Sequence, residues 1–310
     1  MAIQSKIILI LIISLFSSCK DDCIQDDDNT IKVLSWNIWH GGHSKDFPER
    51  GCEGTIGILK ESGADVITMI ETYGASDMVA DSLGYYHRLL SSNLSIYSKY
   101  PIIETYKFPD SISTFNFGGV MLNVKGKKIR VFNTWLHYLP DMRLAPTSLT
   151  ESEILAWDDA GTRDDEIKKI LSVLKSFMSE SDSIPIIMAG DFNCHSHLDW
   201  IESTKNMYNH GGAVVRWTVS KLMQDKGFKD SFRELNPDPA KNIGATWCYG
   251  DNNQKREDRI DYLYYLGSEL KAVSSETHNG ILGEPYSFRN KEFLYASDHG
   301  FVLTDFKFIE

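Results

Sequence analysis

Short apolar runs bounded by polar or glycine-containing turns recur along most of the chain, and their spacing predicts strands at Ile31 to Trp36, Val66 to Ile70, Tyr85 to Leu90, Leu94 to Ser98, Val120 to Val124, Ile129 to Leu136, Ile184 to Ala189, Arg259 to Tyr265, Leu270 to Ser275 and Gly300 to Phe306. Between them the apolar positions fall at helical spacing, most clearly over Ser152 to Phe177, and also near Glu53 to Ser62, Ser76 to Leu83 and Trp217 to Lys226. Some neighbouring strands are joined by turns as tight as Lys125-Gly126-Lys127, whereas others are separated by a helix. That mixture predicts an α/β fold with antiparallel-rich sheets covered by helices.

The polar residues that interrupt this pattern cluster at the carboxyl ends of predicted strands. Asn37 follows Val33-Leu34-Ser35-Trp36, Glu71 follows Val66-Ile67-Thr68-Met69-Ile70, and Asp191 follows Ile186-Ile187-Met188-Ala189-Gly190. Strand ends are where a sheet gathers side chains from distant parts of a sequence, so these residues are expected to share one rim. With Asn193, Asp261 and Ser297-Asp298-His299 they supply hard oxygen ligands for a Mg²⁺-like ion and one imidazole held by a carboxylate. A phosphoester is anionic and repels hydroxide; its hydrolysis needs a cation on the phosphoryl oxygens, a base for water and a stabilised leaving oxygen. Mg²⁺ is the expected cofactor, with Mn²⁺ or Ca²⁺ as alternatives, and structural zinc is disfavoured by the ligand type.

The chain has 310 residues, 42% of them hydrophobic, which suffices for one large core; no internal repeat or Pro/Gly/Ser-rich linker divides it. Its first 18 residues stand apart. Lys6 precedes an apolar run from Ile7 to Phe16, too short for a permanent bilayer span and suited to a signal peptide. The run ends in Phe16-Ser17-Ser18-Cys19, which resembles a lipoprotein signal with Cys19 as the acylated first residue. Residues 19–30 are polar and acidic and are expected to form a tether, leaving 31–310 as the catalytic domain. Lys20-Asp21-Asp22 after that cysteine resembles the surface-export signal of Bacteroidetes lipoproteins. The expected location is therefore the outer membrane or surface of a Gram-negative bacterium, with the lipid as sole membrane contact and the protein a monomer. Beyond Cys19 the cysteines 23, 52, 194 and 248 include no CxxC pair, so neither a zinc ribbon nor a disulfide framework is indicated.

Loss of the segment before Cys19 removes one lysine and takes the formal charge from −11 to −12; five aspartates and one lysine in the tether account for −4 of it. The remaining charge, about −8, repels long polyanions, which favours a small or lipid-like phosphoester and makes nucleic acid a possible but less favoured substrate.

In order along the chain, Ser35-Trp36-Asn37-Ile38, Glu71, Gly190-Asp191-Phe192-Asn193, Thr246-Trp247, Arg259-Ile260-Asp261 and Ser297-Asp298-His299 resemble the endonuclease/exonuclease/phosphatase family, over nearly everything from Ile31 to Phe308. This superfamily includes DNase I-like nucleases, abasic-site exonucleases, bacterial sphingomyelinases and inositol-polyphosphate phosphatases. The resemblance implies a four-layer α/β sandwich with two central mixed, antiparallel-rich sheets. It implies Glu71 as principal carboxylate ligand of the metal, with Asn37 and Asp298 at the same site. It also implies His299 at the scissile phosphate, Asp261 fixing the tautomer of that histidine, and Asp191 with Asn193 orienting water and phosphate oxygens. A non-catalytic surface-binding lipoprotein is the alternative of another class, and the completeness of the set argues against it.

One departure lies at Asn133-Thr134-Trp135-Leu136-His137, where the family often has a histidine directly after threonine and this chain has Trp135. Positions 135 and 137 share a face of an extended strand, so His137 is expected to reach the phosphate from one pleat further along. Trp39, His40 and His43, and His195, His197 and Trp200, follow two of the motifs and are candidates for the substrate rim. Arg163, in Gly161-Thr162-Arg163, is a candidate for phosphate neutralisation. A zinc subsite on His195 and His197 is the weaker reading of those two residues beside a surface or hydrogen-bonding role.

Overall fold

A computed structural model describes residues 29–42, 48–249 and 256–309. Cys19, the signal segment, nearly all of the tether and His43 lie outside the described residues. In chain order the strands are Thr30–Asn37 (β1), Val66–Ile70 (β2), Tyr86–Leu89 (β3), Leu94–Ser98 (β4), Ile102–Thr105 (β5), Phe117–Val124 (β6), Lys127–Trp135 (β7), Ile186–Asp191 (β8), Lys229–Asp230 (β9), Trp247–Tyr249 (β10), Arg256–Asp258 (β11), Asp261–Leu266 (β12), Leu270–His278 (β13), Pro285–Phe288 (β14), Lys291–Leu294 (β15) and Phe301–Phe308 (β16). The helices are Pro48–Ser62 (α1), Ser76–Leu83 (α2), Glu151–Asp158 (α3), Arg163–Val173 (α4), Lys175–Ser179 (α5), Thr218–Asp225 (α6) and Ser231–Leu235 (α7).

Two six-stranded sheets form the centre, in the orders β13-β16-β1-β2-β4-β3 and β5-β6-β7-β8-β12-β9. Side chains alternate across each strand, and in β1 and β8 both alternating sets are apolar because both faces are covered. Ile31 and Val33 of β1 meet Ile187 and Ala189 of β8 in the core between the sheets, with Val131, Leu263 and Phe306. Leu34 and Trp36 face outward under Ile58 and Leu59 of α1 and Val79 of α2. On the far side, Ile186 and Met188 pack under Ile154, Ile167 and Leu171 of α3 and α4 and Met223 of α6. Three apolar seams therefore separate four layers, as the resemblance implied.

Only β1/β2 and β7/β8 pair in parallel in the two central sheets; the remaining pairings there are antiparallel. In each sheet the parallel pair is flanked by an antiparallel strand, β16 beside β1 and β12 beside β8. The carboxyl ends of β1, β2, β7 and β8 and the amino ends of β12 and β16 thus come to one rim.

Two expectations change, and six short strands add to those expected. The helix expected over Ser152 to Phe177 is three helices, broken at Asp159–Thr162, where a side chain at Gly161 would fall 2.3 Å from the Leu139 carbonyl oxygen. Strand β7 ends at Trp135, so His137 does not share an extended strand with it. The short strands β5, β9, β10, β11, β14 and β15 carry too few alternating residues to stand out from loops in the sequence.

Gly190 is the tightest point between β7 and β8. It has φ of 141°, and a Cβ there would lie 2.0 Å from the Thr134 carbonyl oxygen. Gly190→Ala is expected to lower unfolding free energy by about 3 kcal/mol or more, since it adds backbone strain to a clash that only strand separation relieves. Urea denaturation checks this; an unchanged midpoint contradicts it.

Candidate functional site

Asn37 ends β1, Glu71 stands one residue beyond β2, Asp191 ends β8, Asp261 begins β12, and Ser297-Asp298-His299 lead into β16. The antiparallel register sets Asp261 opposite Asp191. The backbone leaves each strand abruptly here: Trp39, His40, Glu71, Tyr73 and Asn193 have φ of 48°, 49°, 57°, 33° and 47°. Such conformations cost on the order of 1–3 kcal/mol each and persist where surrounding contacts impose them. For Glu71 those contacts are visible: its N–H donates to Asn93 Oδ1 at 3.0 Å, and its carbonyl accepts from Gly41 N at 2.7 Å.

Asn37 binds two of the carboxylates together. Its Nδ2 donates to Glu71 Oε1 and Asp191 Oδ2, both at 3.2 Å, while its Oδ1 accepts from Trp39 N at 3.0 Å. Asn37 thus presents N–H groups, not the expected oxygen ligand, to the acidic side chains. Asp191 accepts from Asn193 N at 2.8 Å and Asn193 Nδ2 at 3.1 Å. The same Nδ2 donates to Leu136 O at 2.9 Å, so Asn193 ties the ends of β7 and β8.

His299 is buried between two carboxylates. Its Nδ1 is 3.0 Å from Asp261 Oδ2, and its Nε2 is 3.9 Å from Asp191 Oδ2. Its carbonyl accepts from Trp36 Nε1 at 3.1 Å and Tyr295 Oη at 2.9 Å; its N–H donates to Ser297 Oγ, which donates to Asn37 O at 2.6 Å. The Trp247 ring stacks on the imidazole, centroids 5.9 Å apart and planes 20° apart. Thr246 Oγ1 accepts from the N–H groups of Ile260 and Asp261, setting the start of β12. Arg259, fully buried, pairs with Asp199 and Asp230 and anchors the turn before it.

Burial disfavours the imidazolium, but Asp261 and Asp191 outweigh it and hold the His299 pKa well above that of free histidine. Burial, and then repulsion from Asp261, push the Asp191 carboxyl up to about 8 despite His299 and the N–H groups of Asn193 and Asn37. Asp191, Asp261 and His299 have ligand atoms within 4.8 Å of one another and could themselves close on a metal. The 3.0 Å contact between His299 Nδ1 and Asp261 instead fits a hydrogen-bonded pair, with cation binding left to carboxylate oxygens facing the cleft. Asp298 Oδ1 is buried without a hydrogen-bond partner, and Asp298 and Glu71 line the same cleft. An orphaned carboxylate oxygen beside a second carboxylate fits a hard divalent cation.

The cleft, about 440 Å³, is lined by Glu71, Asp191, Asn193, Asp298 and His299 together with Trp39 and His40. Tyr73, Trp135, Tyr138, Arg143 and Trp247 complete its wall. Of these, Trp247 lay in a motif of the resemblance and Trp135 at the departure from it, whereas Arg143 lay in an unremarkable Asp-Met-Arg run. A cavity of about 500 Å³ elsewhere, by β9 and α7, contains none of the converging residues.

Five further sequence candidates, His137, Arg163, His195, His197 and Trp200, do not line the cleft. His137 is beyond β7; its Nδ1 accepts from Leu139 N at 3.2 Å, and its own N–H is held by Glu166. Arg163 is fully buried, pairing with Asp158 and donating to the carbonyls of Asn193, at 2.6 Å, and Pro140, at 2.5 Å; it fastens loops rather than phosphate. His195 and Trp200 stack 4.9 Å apart in the interior, with His195 beside Asp258. His197 faces the other cavity, its ring held by Ser220 and Gln224. A zinc subsite on His195 and His197 thus has the two rings engaged in different surroundings.

Because both carboxylates favour imidazolium, Asp261→Asn is expected to move the His299 titration to lower pH, so that at a given neutral pH more of it is uncharged. Proton-detected NMR of the ring against pH reads this. A titration unmoved from wild type contradicts the pairing.

The endonuclease/exonuclease/phosphatase family model matches residues 34–299. The "Uncharacterized protein F14F9.5" of Caenorhabditis elegans is 26% identical over 98% of this chain and 99% of its own length. A DNA-(apurinic or apyrimidinic site) endonuclease of Dictyostelium discoideum is 23% identical over 88% of this chain and 70% of its own. Among solved structures, D. rerio TDP2 complexed with single strand DNA product superposes with a TM-score of 0.59 at 15% identity, covering 90% of this chain and 99% of that one, which shows a shared fold. With the family model spanning the whole rim from β1 to His299, the chain belongs to the endonuclease/exonuclease/phosphatase family, whose members are hydrolases acting on phosphoester bonds.

Proposed function

We propose that the chain is an exported phosphoesterase that depends on a divalent metal, Mg²⁺ foremost, and hydrolyses a small or lipid-like phosphoester by in-line attack of water. The observation that carries this reading is the His299 imidazole held between Asp261 and Asp191, 3.0 and 3.9 Å away, in a cleft with Glu71 and the orphaned Asp298 oxygen. Glu71 and Asp298 would hold the cation, which supplies polarisation of the phosphoryl group. Asp191 is the base: burial raises its proton affinity toward neutral pH, and Asn37 and Asn193 aim its carboxylate. His299, kept protonated by its neighbours, donates to a phosphoryl oxygen, and Asp261 holds the ring so that Nε2 faces the cleft. Water adds to phosphorus as the ester P–O bond breaks, with no covalent enzyme intermediate. Export rests on the segment ending at Cys19, which we read as the lipid-bearing first residue of the mature protein.

A nuclease is the second reading, favoured by the likeness to the Dictyostelium endonuclease. The net charge of −11 and the enclosure of the cleft by Trp39, Trp135 and Tyr138 favour a compact ester instead. With Mg²⁺, small phosphomonoesters, phosphodiesters and phospholipids are expected to be turned over with higher kcat/KM than plasmid DNA at matched ionic strength. Glu71→Gln is expected to bind Mg²⁺ more weakly by calorimetry and to lose at least about tenfold in activity while remaining folded, since it removes a full charge from the cation site. Degradation of DNA alone would promote the nuclease, and unchanged Mg²⁺ affinity in Glu71→Gln would sink the metal assignment.

The lipid anchor has its own check. Mass spectrometry of the native protein is expected to find a mature chain that starts at an acylated Cys19, partitioning with membranes. An unmodified terminus elsewhere and a protein free in solution reject the anchor.

A further inference from the structure

Four carboxylates line the cleft, those of Glu71, Asp141, Asp191 and Asp298, and among its described lining residues Arg143 is the only arginine or lysine. An incoming phosphate therefore meets several negative charges and a single permanent side-chain cation. Arg143 belongs to a one-turn 3₁₀ helix, Met142–Leu144, whose N-cap Asp141 accepts from Arg143 N. Asp141 also grips the guanidinium, with Nε at 2.8 and 3.0 Å from its two oxygens and Nη2 at 2.5 Å. The guanidinium carbon lies 5.5 Å over the Trp247 ring, and that ring stacks on His299. Arg143 is thus fixed on the cleft side of the reacting imidazole, one indole away from it, while its side chain remains half exposed.

We propose that Arg143 is the anion-binding residue of the cleft, placed by Asp141 and Trp247 to contact a phosphoryl oxygen of the substrate. This rests on the phosphoester reading of the site. Asp141 orients the fork and Trp247 carries its face, so little side-chain freedom remains to be lost on binding. A lysine keeps the charge but loses both the planar fork and the stacking.

Inorganic phosphate, titrated calorimetrically into the Mg²⁺-loaded protein, tests the contact without requiring turnover. Arg143→Gln is expected to weaken phosphate binding about tenfold to a hundredfold, the range of one charge-assisted hydrogen bond, with Arg143→Lys between it and wild type. With a chromogenic phosphodiester and monoester, the same variant is expected to raise KM by a similar factor, with a smaller change in kcat. Should wild type hydrolyse no ester yet bind phosphate in an Arg143-dependent way, the phosphoesterase reading fails and the anion contact stands. Phosphate affinity and KM equal to wild type in Arg143→Gln overturn the contact, whether or not the melting temperature falls, as does a wild-type protein that binds no phosphate.

Discussion

Two carboxylates set opposite each other at a buried sheet end repel, and the rest of the site exists to hold them there. Asp191 and Asp261 are register partners across β8 and β12, and both are almost wholly removed from solvent. Their oxygens lie within 4.8 Å of one another, where two like charges cost about 3 kcal/mol or more at an effective dielectric near 20, a large share of a domain's whole stability. The imidazole of His299 between them returns much of that cost by taking a proton, and N–H groups of Asn37 and Asn193 satisfy the remaining oxygens of Asp191. Each of those partners comes from a different strand end. Folding of both sheets is therefore the condition for this charge arrangement, and no local segment can form it alone.

The loops that carry these groups are fastened by buried guanidinium groups rather than by apolar packing alone. Arg163 donates to the Asn193 and Pro140 carbonyls, and Arg259 pairs with Asp199 and Asp230 just before Asp261. Burying a guanidinium is expensive unless every donor is met, and the planar fork meets several acceptors at once. The Arg163 contact holds Asn193 in a left-handed backbone conformation that a mobile loop would abandon, while Glu71 is held in one by Asn93 and Gly41. Gly190 plays the complementary part, letting β8 approach β7 where any side chain would keep them apart.

Strands with both faces covered were legible as near-continuous apolar runs such as Val66 to Ile70, and the more exposed β3 and β13 were legible as well, from runs bounded by turn residues. Asn37, Glu71 and Asp191 were legible for a related reason, since a polar residue directly after such a run has to emerge at the sheet's edge, whereas Asp261, Asp298 and His299 precede their strands and stood out only as parts of the family's ordered motifs. What failed was inference from local proximity. His137 was placed by strand periodicity, but β7 stops at Trp135; Trp200 and His195 were placed on the rim by nearness to Asn193, but the chain turns inward there. Arg163 looked like a helix-end cation and is instead enclosed, because the break after α3 swings it under the loop of β7. The cleft's aromatic wall was not readable as a unit. Tyr73, Trp247 and the neighbouring pair Trp135 and Tyr138 come from three distant stretches of the sequence and meet only through tertiary structure.

The division between strand ends and loops also separates two kinds of control over reaction. Asn37, Glu71, Asp191, Asp261 and His299 are set by sheet register, where a shift of one residue would reverse every side chain and dismantle both core and chemistry together. Tyr73, Tyr138 and Arg143 stand on connections after β2 and β7, where exchange of a side chain leaves the register untouched. On the proposed reading, changes in the first group act on the reacting phosphorus, whichever ester is presented. Changes in the second act on what is presented. A chain with the family's sheet architecture can therefore differ from its relatives in substrate, and on the proposed reading that difference would be set by the aromatic wall and Arg143, where sequence motifs are least informative.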